Sequence, residues 1–284
     1  MKMYSAELLR KYDIKLKKSL GQNLLLDPNI NRKMAEVAEV AADDSVFEVG
    51  AGVGDLTQVL AERAREVFSI EIDRAFEPPL RERFGNNPKV KLFFGDILNH
   101  SVKELVDEFL PHAAVLKMVS NLPFYITSPV LMHFLESEVP FKSLTVMVQK
   151  EVAERIVAVP GGKEYGILAI ACQLYARPSI ARTVSPKCFR PVPKVDSAII
   201  HLPIRDNIEL SPAERRLFFL IVNAAFRQRR KKIANSLAVA DLSMPKKQLE
   251  QFLSDNDIPP DVRPERVSLE KYIQLAKAIF AVKL

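Results

Sequence analysis

The segment Ser45-Val46-Phe47-Glu48-Val49 runs directly into Gly50-Ala51-Gly52-Val53-Gly54, and helical spacing resumes over residues 56–64. A short, largely apolar run that ends in glycines reads as a strand buried on both faces. Glycines in the turn let the backbone approach a ligand closely, and the helix that follows points free N–H groups at the same place. A chain built this way is constrained to a strand-turn-helix unit with a ligand at the strand's carboxyl end. The spacing is G-x-G-x-G rather than the G-x-G-x-x-G of dinucleotide sites.

The rest of the first two hundred or so residues repeats that alternation. Helical spacing over residues 29–40 precedes the first strand, and further short strands are predicted at 67–70, 90–94, 115–119 and 144–148, with helical segments between them. Such alternation implies parallel pairing through crossover helices, with ligands at the carboxyl ends of the strands. Two more extended stretches, 179–184 and 195–202, suggest an antiparallel hairpin at the sheet edge. Beyond Arg205 the pattern is helical, over residues 211–227, 231–238, 246–256 and 269–282, opened by a capping box at Ser211 and Glu214. The expected fold is α/β, a mostly parallel sheet with an antiparallel edge hairpin in residues 1–205, followed by a small all-α domain in residues 206–284.

Composition narrows the function. With 48% hydrophobic and 27% charged residues, the 284-residue chain is a folding one rather than a disordered one. Its net charge of +6 only slightly favours a polyanionic partner. Cys172 and Cys188 are the only cysteines, too few for a disulfide framework, and no His/Cys cluster has zinc spacing, so no metal is expected. The basic first 18 residues lack a signal peptide's apolar core, and no apolar run reaches the roughly 20 residues of a membrane span. A cytoplasmic location follows as the expectation.

Three polar motifs each fall just after a predicted strand. Glu71 and Asp73 stand about 20 residues beyond the glycines, where a ribose-binding carboxylate belongs. Gly95-Asp96-Ile97 offers a carboxylate to an exocyclic amine and an apolar side chain to a ring, although Gly-Asp after a strand is more often an ordinary turn. Asn121-Leu122-Pro123-Phe124-Tyr125 adds an amide, a stiff turn and aromatic rings. The exocyclic amine of adenine is a poor nucleophile, because its lone pair is delocalised. The Asn121 side-chain oxygen and the Pro123 carbonyl are placed to hold its hydrogens and free that lone pair, with Phe124 stacking on the displaced base. An isolated string of this kind would be an ordinary strand-ending turn; its position behind two cofactor-like motifs favours a site.

The densest charge run is Arg227, Arg229, Arg230, Lys231 and Lys232. A solvated helix face is the usual explanation for such a run, but a phosphate backbone would relieve the mutual repulsion. Together with Lys11, Lys15, Lys17 and Lys18, it reads as an RNA-facing rim.

In order, these motifs resemble the ribosomal RNA adenine N6-dimethyltransferase family, to which the erythromycin-resistance methylases are related. The match takes in Leu20-Gly21-Gln22-Asn23-Leu24-Leu25, Glu48 to Gly54, Glu71-Ile72-Asp73, Gly95-Asp96-Ile97 and Asn121 to Phe124. It continues through Gln149 to Ala153, Tyr165-Gly166, Phe189-Arg190-Pro191-Val192-Pro193-Lys194-Val195-Asp196-Ser197 and Ala225 to Lys231. The resemblance implies a Rossmann-like methyltransferase domain with a seven-stranded sheet, using S-adenosyl-L-methionine to dimethylate two adjacent adenines near the 3′ end of small-subunit ribosomal RNA. It implies that Asn23, Leu25, Gly50, Gly52, Glu71, Ile72, Asp96, Ile97 and Asn121 hold the cofactor. Asn121, Pro123, Phe124 and Phe189 would serve the target base, with Phe189 closing its far side. Its partner would be an assembling 30S-type subunit, and the protein would act as a monomer. Phe124 stands where the family usually has tyrosine, and Leu24 where phenylalanine is commoner. A large-subunit methylase and a non-catalytic RNA-binding factor on the same fold are the alternatives.

Overall fold

The structure, a computed structural model, describes residues 5–17, 20–25, 27–239, 242 and 244–283. Nine strands are defined among them: β1 (Leu24–Leu25), β2 (Asp44–Val49), β3 (Glu66–Glu71), β4 (Val90–Phe94), β5 (Val115–Asn121), β6 (Phe141–Gln149), β7 (Ser179–Val184), β8 (Phe189–Arg190) and β9 (Ser197–Pro203). Seven of them form one sheet in the order β4-β3-β2-β5-β6-β9-β7, with β9 antiparallel to both β6 and β7. This is the mostly parallel sheet with an antiparallel edge hairpin that the sequence predicts.

The sheet is covered on both faces because its strands alternate side chains between them. Phe47 and Phe68 project to one face, where their rings meet edge-on with centroids 4.8 Å apart, and Phe134 and Phe109 complete the aromatic layer. Val46, Val67, Val119 and Ile199 project to the other and pack with Met34, Leu56, Leu60 and Leu80. Each fully buried side chain of this size contributes about 1.5–3 kcal/mol, so the two layers fix the register of the sheet. Lys117 lies in the middle of buried β5, where its ammonium pairs with Asp44 at 2.8 Å and donates to the Glu39 carbonyl at 2.7 Å.

The chain runs outward from β2 through β3 to β4, then returns to β5 on the other side of β2. A crevice opens at the carboxyl ends of β2 and β5, where the strand order reverses. The Val49 N–H donates to the Ser120 hydroxyl at 2.8 Å and ties the two strand ends together there.

The chain divides into two compact units: residues 1–153 with 177–204, and residues 154–176 with 205–284. Residues 154–176 thus pack with the helical unit, although strand-helix alternation placed them in the first domain. The Arg205 N–H and guanidinium donate to the carbonyls of Tyr175 and Gln173, which draws the apolar helix Ile167–Tyr175 into the helical core. That unit also contains helices Pro212–Phe226, Ile233–Leu237, Lys246–Asp255 and Leu269–Lys283. The Ser211–Glu214 capping box is formed, with reciprocal hydrogen bonds of 3.3 and 2.8 Å. Tyr272 is fully buried, and its hydroxyl donates to the Pro264 carbonyl at 3.0 Å. No described helix is long and apolar enough to cross a membrane.

Candidate active site

A cleft of about 980 Å³, counted out to solvent, lies at the carboxyl ends of β2, β3, β4 and β5. Every residue expected to hold the cofactor lines it: Asn23, Leu25, Gly50, Gly52, Glu71, Ile72, Asp96, Ile97 and Asn121. So do Pro123 and Phe124.

The glycine turn and the acidic strand end are built as one unit. Gly52 has a φ of +55°, a conformation that side chains disfavour, and an added Cβ would come within 3.3 Å of Leu24. Its N–H donates to Glu71 Oε2 at 2.8 Å, while the Asp73 N–H donates to Glu71 Oε1 at 2.8 Å. Glu71 is therefore clamped through both oxygens, each of which keeps a lone pair for a further donor. Burial pushes its carboxyl above the ordinary value, against the lowering effect of those backbone hydrogen bonds. Asp96 Oδ1 accepts the Leu98 N–H at 3.0 Å, which sets the carboxylate at the rim.

Glu48 stands one strand position before the cleft and is 1% exposed. Its Oε2 accepts from Thr57 at 2.6 Å and from Ser69, while Oε1 has no partner. Burial outweighs those hydrogen bonds and pushes the carboxyl up to about 7.

Asn121 ends β5, and among the described residues its side chain has no hydrogen-bond partner. An amide held in a cleft wall with donor and acceptor both free is suited to reading a ligand that presents both. The Pro123 carbonyl is less free than the sequence suggested. It already accepts the Ile126 N–H at 3.2 Å and lies 3.4 Å from the Thr127 hydroxyl, because Phe124–Ile126 forms a 3₁₀ turn. For that oxygen to accept from a ligand, the Thr127 hydroxyl has to turn away.

Other assignments change more. Phe189 does not line the cleft; it is 1% exposed in the core, in β8, where it pairs with Leu25 of β1. Lys17 places its ammonium on Asp73 at 2.8 Å instead of leaving it free for phosphate. Lys18 lies outside the described residues. Arg227, Arg229, Arg230, Lys231 and Lys232 are all exposed but occupy the turn between two helices rather than a helix face. Arg229 donates to the Lys163 and Tyr165 carbonyls at 2.9 and 3.0 Å, so it holds the fold of the helical unit. Cys172 is buried and Cys188 is half-buried. Among the described residues, no group of acidic, His and Cys side chains is clustered for a metal.

Sequence reasoning missed the small sheet of β1 and β8, and with it the roles of Gln22 and Asp73. Gln22 Nε2 donates to Asp73 Oδ2 at 2.8 Å. The signal was present as the Leu20 to Leu25 motif, but its partner is 51 residues away in the chain.

An open, mostly parallel sheet with an antiparallel last strand and a glycine-turned cleft beside a clamped carboxylate defines a Rossmann-like methyltransferase. The family described as ribosomal RNA adenine dimethylase matches residues 14–280, and the chain belongs to it. It is 44% identical over 270 residues to the ribosomal RNA small subunit methyltransferase A of Alkaliphilus oremlandii, covering 95% of this chain and 94% of the relative. The protein of the same name from Lactococcus lactis is 39% identical over 277 residues, covering 98% and 94%. Among solved structures, a dimethyladenosine transferase from Plasmodium falciparum aligns with a TM-score of 0.75 at 26% identity, covering 89% of this chain and 95% of that one. The 23S rRNA methyltransferase ErmE aligns with a TM-score of 0.68 at 27% identity, covering 90% and 99%. Family and fold point to S-adenosylmethionine as the cofactor. The donor set fits it: two carboxylates for a nucleoside, and a glycine turn whose space a Cβ would fill.

Proposed function

We propose that this chain dimethylates N6 of adenine in small-subunit ribosomal RNA, at two adjacent adenines near the 3′ end. The observation that carries the chemistry is the unpartnered Asn121 amide in the same cleft as Glu71 and Asp96. The relatives' names, over 94% of their own lengths, support the substrate.

In this reading Glu71 takes the ribose hydroxyls of the cofactor and Asp96 the amine of its adenine. Asn23, Leu25, Gly50, Gly52, Ile72 and Ile97 form the surrounding wall. When bound, S-adenosylmethionine supplies a methyl group activated by its sulfonium. Asn121 Oδ1 and the Pro123 carbonyl, once the Thr127 hydroxyl turns away from it, hold the hydrogens of the target amine, which turns its lone pair out of conjugation. Phe124 stacks on the extruded base; no phenolic hydroxyl takes part. Alignment of the reactants is the main catalytic contribution, and the surplus proton leaves to water.

Arg227, Arg230, Lys231 and Lys232 offer four exposed cations to the RNA backbone. We infer a monomeric enzyme that acts on an assembling small subunit in the cytoplasm, a reading that the relatives' shared name as small-subunit methyltransferases supports for the substrate alone. The alternative substrate is large-subunit RNA, which the likeness to ErmE favours. Transfer from labelled cofactor to small subunits lacking the modification, with large-subunit RNA in parallel, separates the two. Labelling of large-subunit RNA alone would overturn the proposal.

A further inference from the structure

Asp73 does not line the cleft, yet its carboxylate is buried, with the side chain 2% exposed. Both of its oxygens face the N-terminal segment. Oδ1 accepts from the Lys17 ammonium at 2.8 Å, and Oδ2 accepts from the Gln22 amide at 2.8 Å. Gln22 Oε1 in turn accepts the Lys17 N–H at 2.6 Å, which closes the segment on itself. Residues 20–25 form one wall of the cleft. On the inner side, the Asp73 N–H donates to Glu71, which also accepts from Gly52. The carboxylate thus joins the wall to the residues assigned to the ribose.

We propose that Asp73 is a positioning residue for the cofactor, clasping Lys17 and Gln22 so that residues 20–25 are held against the cleft. The inference rests on the cofactor reading of that cleft. It also reassigns Lys17, from an RNA contact to the clasp. Burial alone would raise the Asp73 carboxyl, but the hydrogen bonds from Lys17, Gln22 and Ala75 outweigh it and hold it below the ordinary aspartate value. The charged form that the clasp requires is therefore the stable one. Charge-assisted hydrogen bonds of this kind are individually stronger than neutral ones, and two of them converge on one carboxylate.

The test is calorimetric binding of S-adenosylhomocysteine to the full chain, alongside steady-state kinetics. Asp73→Asn removes the charge. Lys17→Met combined with Gln22→Ala removes the other half of the clasp and leaves intact the cap that Asp73 provides to the turn Arg74–Phe76. Each set is expected to weaken binding about tenfold, the scale of a lost hydrogen bond to a charged group. The combination of both sets should be no weaker than either alone. For Asp73→Asn, the KM for S-adenosylmethionine should rise by the same factor while kcat stays within about twofold. Unchanged affinity in the variant combining Lys17→Met with Gln22→Ala, or losses that multiply to about a hundredfold when Asp73→Asn is added, would overturn the clasp. A wild-type chain that binds no S-adenosylhomocysteine would overturn the cofactor reading as well, whereas normal wild-type binding with unmoved variants removes the clasp alone.

Discussion

Glu71 Oε2 accepts the backbone N–H of Gly52 at 2.8 Å, so the carboxylate assigned to the ribose is also the group that fixes the glycine turn. Replacing Glu71 by Ala removes the ligand and the clamp together. We expect S-adenosylhomocysteine affinity to fall at least about a hundredfold by calorimetry, since a hydrogen-bonded charged group is worth about 1.5–3 kcal/mol before the turn relaxes. Glu71→Gln, which keeps the shape, should lose less. Equal losses in the two variants would show that the charge is irrelevant.

Asn121 should behave differently. Among the described residues its amide has no hydrogen-bond partner, so Asn121→Ala should leave the fold intact and, as one of several cofactor contacts, weaken cofactor affinity by only a few-fold. Turnover should fall by about a thousandfold, comparable to removing one preorganised electrostatic donor. Single-turnover transfer to small subunits measures this, and a change confined to KM would contradict the role given to the amide.

Glu48 makes stability depend on pH. Its carboxyl is raised from 4.5 to about 7, so the folded state holds a proton that the unfolded state has lost between those values. Stability is therefore full below about pH 4.5 and declines as pH rises toward 7, by about 3 kcal/mol in total. Glu48→Gln abolishes this contribution. The difference between variant and wild-type unfolding free energies should climb with pH across that window and be flat above it. A difference independent of pH would exclude a protonated Glu48.

Lys117 and Asp44 form a pair whose side chains are 4% and 5% exposed. Lys117→Met leaves the Asp44 charge buried without its counter-ion and should cost about 3–5 kcal/mol in urea denaturation. Adding Asp44→Asn should recover part of that loss, which would show that the cost lies in the uncompensated charge.

The basic turn can be divided. Replacing Arg227, Arg230, Lys231 and Lys232 by Ala should weaken RNA binding and reduce its salt slope by about one for each cation that met a phosphate. Arg229→Ala should instead lower the thermal stability of the helical unit, because its hydrogen bonds to Lys163 and Tyr165 are lost. A salt slope unmoved by the fourfold variant would place the RNA elsewhere.

Much of this protein was determined by local pattern. Short apolar runs between helical segments located β2 to β7 to within a few residues, because strands buried on both faces must be apolar throughout. The lining of the cleft was legible because Glu71, Asp96 and Asn121 each end or follow a strand, and parallel strands bring their carboxyl ends to one edge. What only tertiary structure decided are the pairings between residues far apart in the chain. Leu25 meets Phe189 across the β1–β8 pair, which turns an expected base-stacking ring into a core residue. Lys17 and Gln22 meet Asp73, which turns an expected RNA contact into an internal clasp. Residues 154–176 leave the sheet unit for the helical one. Exposed and buried uses of a phenylalanine or a lysine have the same local pattern; which partner it meets depends on how the layers close over the sheet.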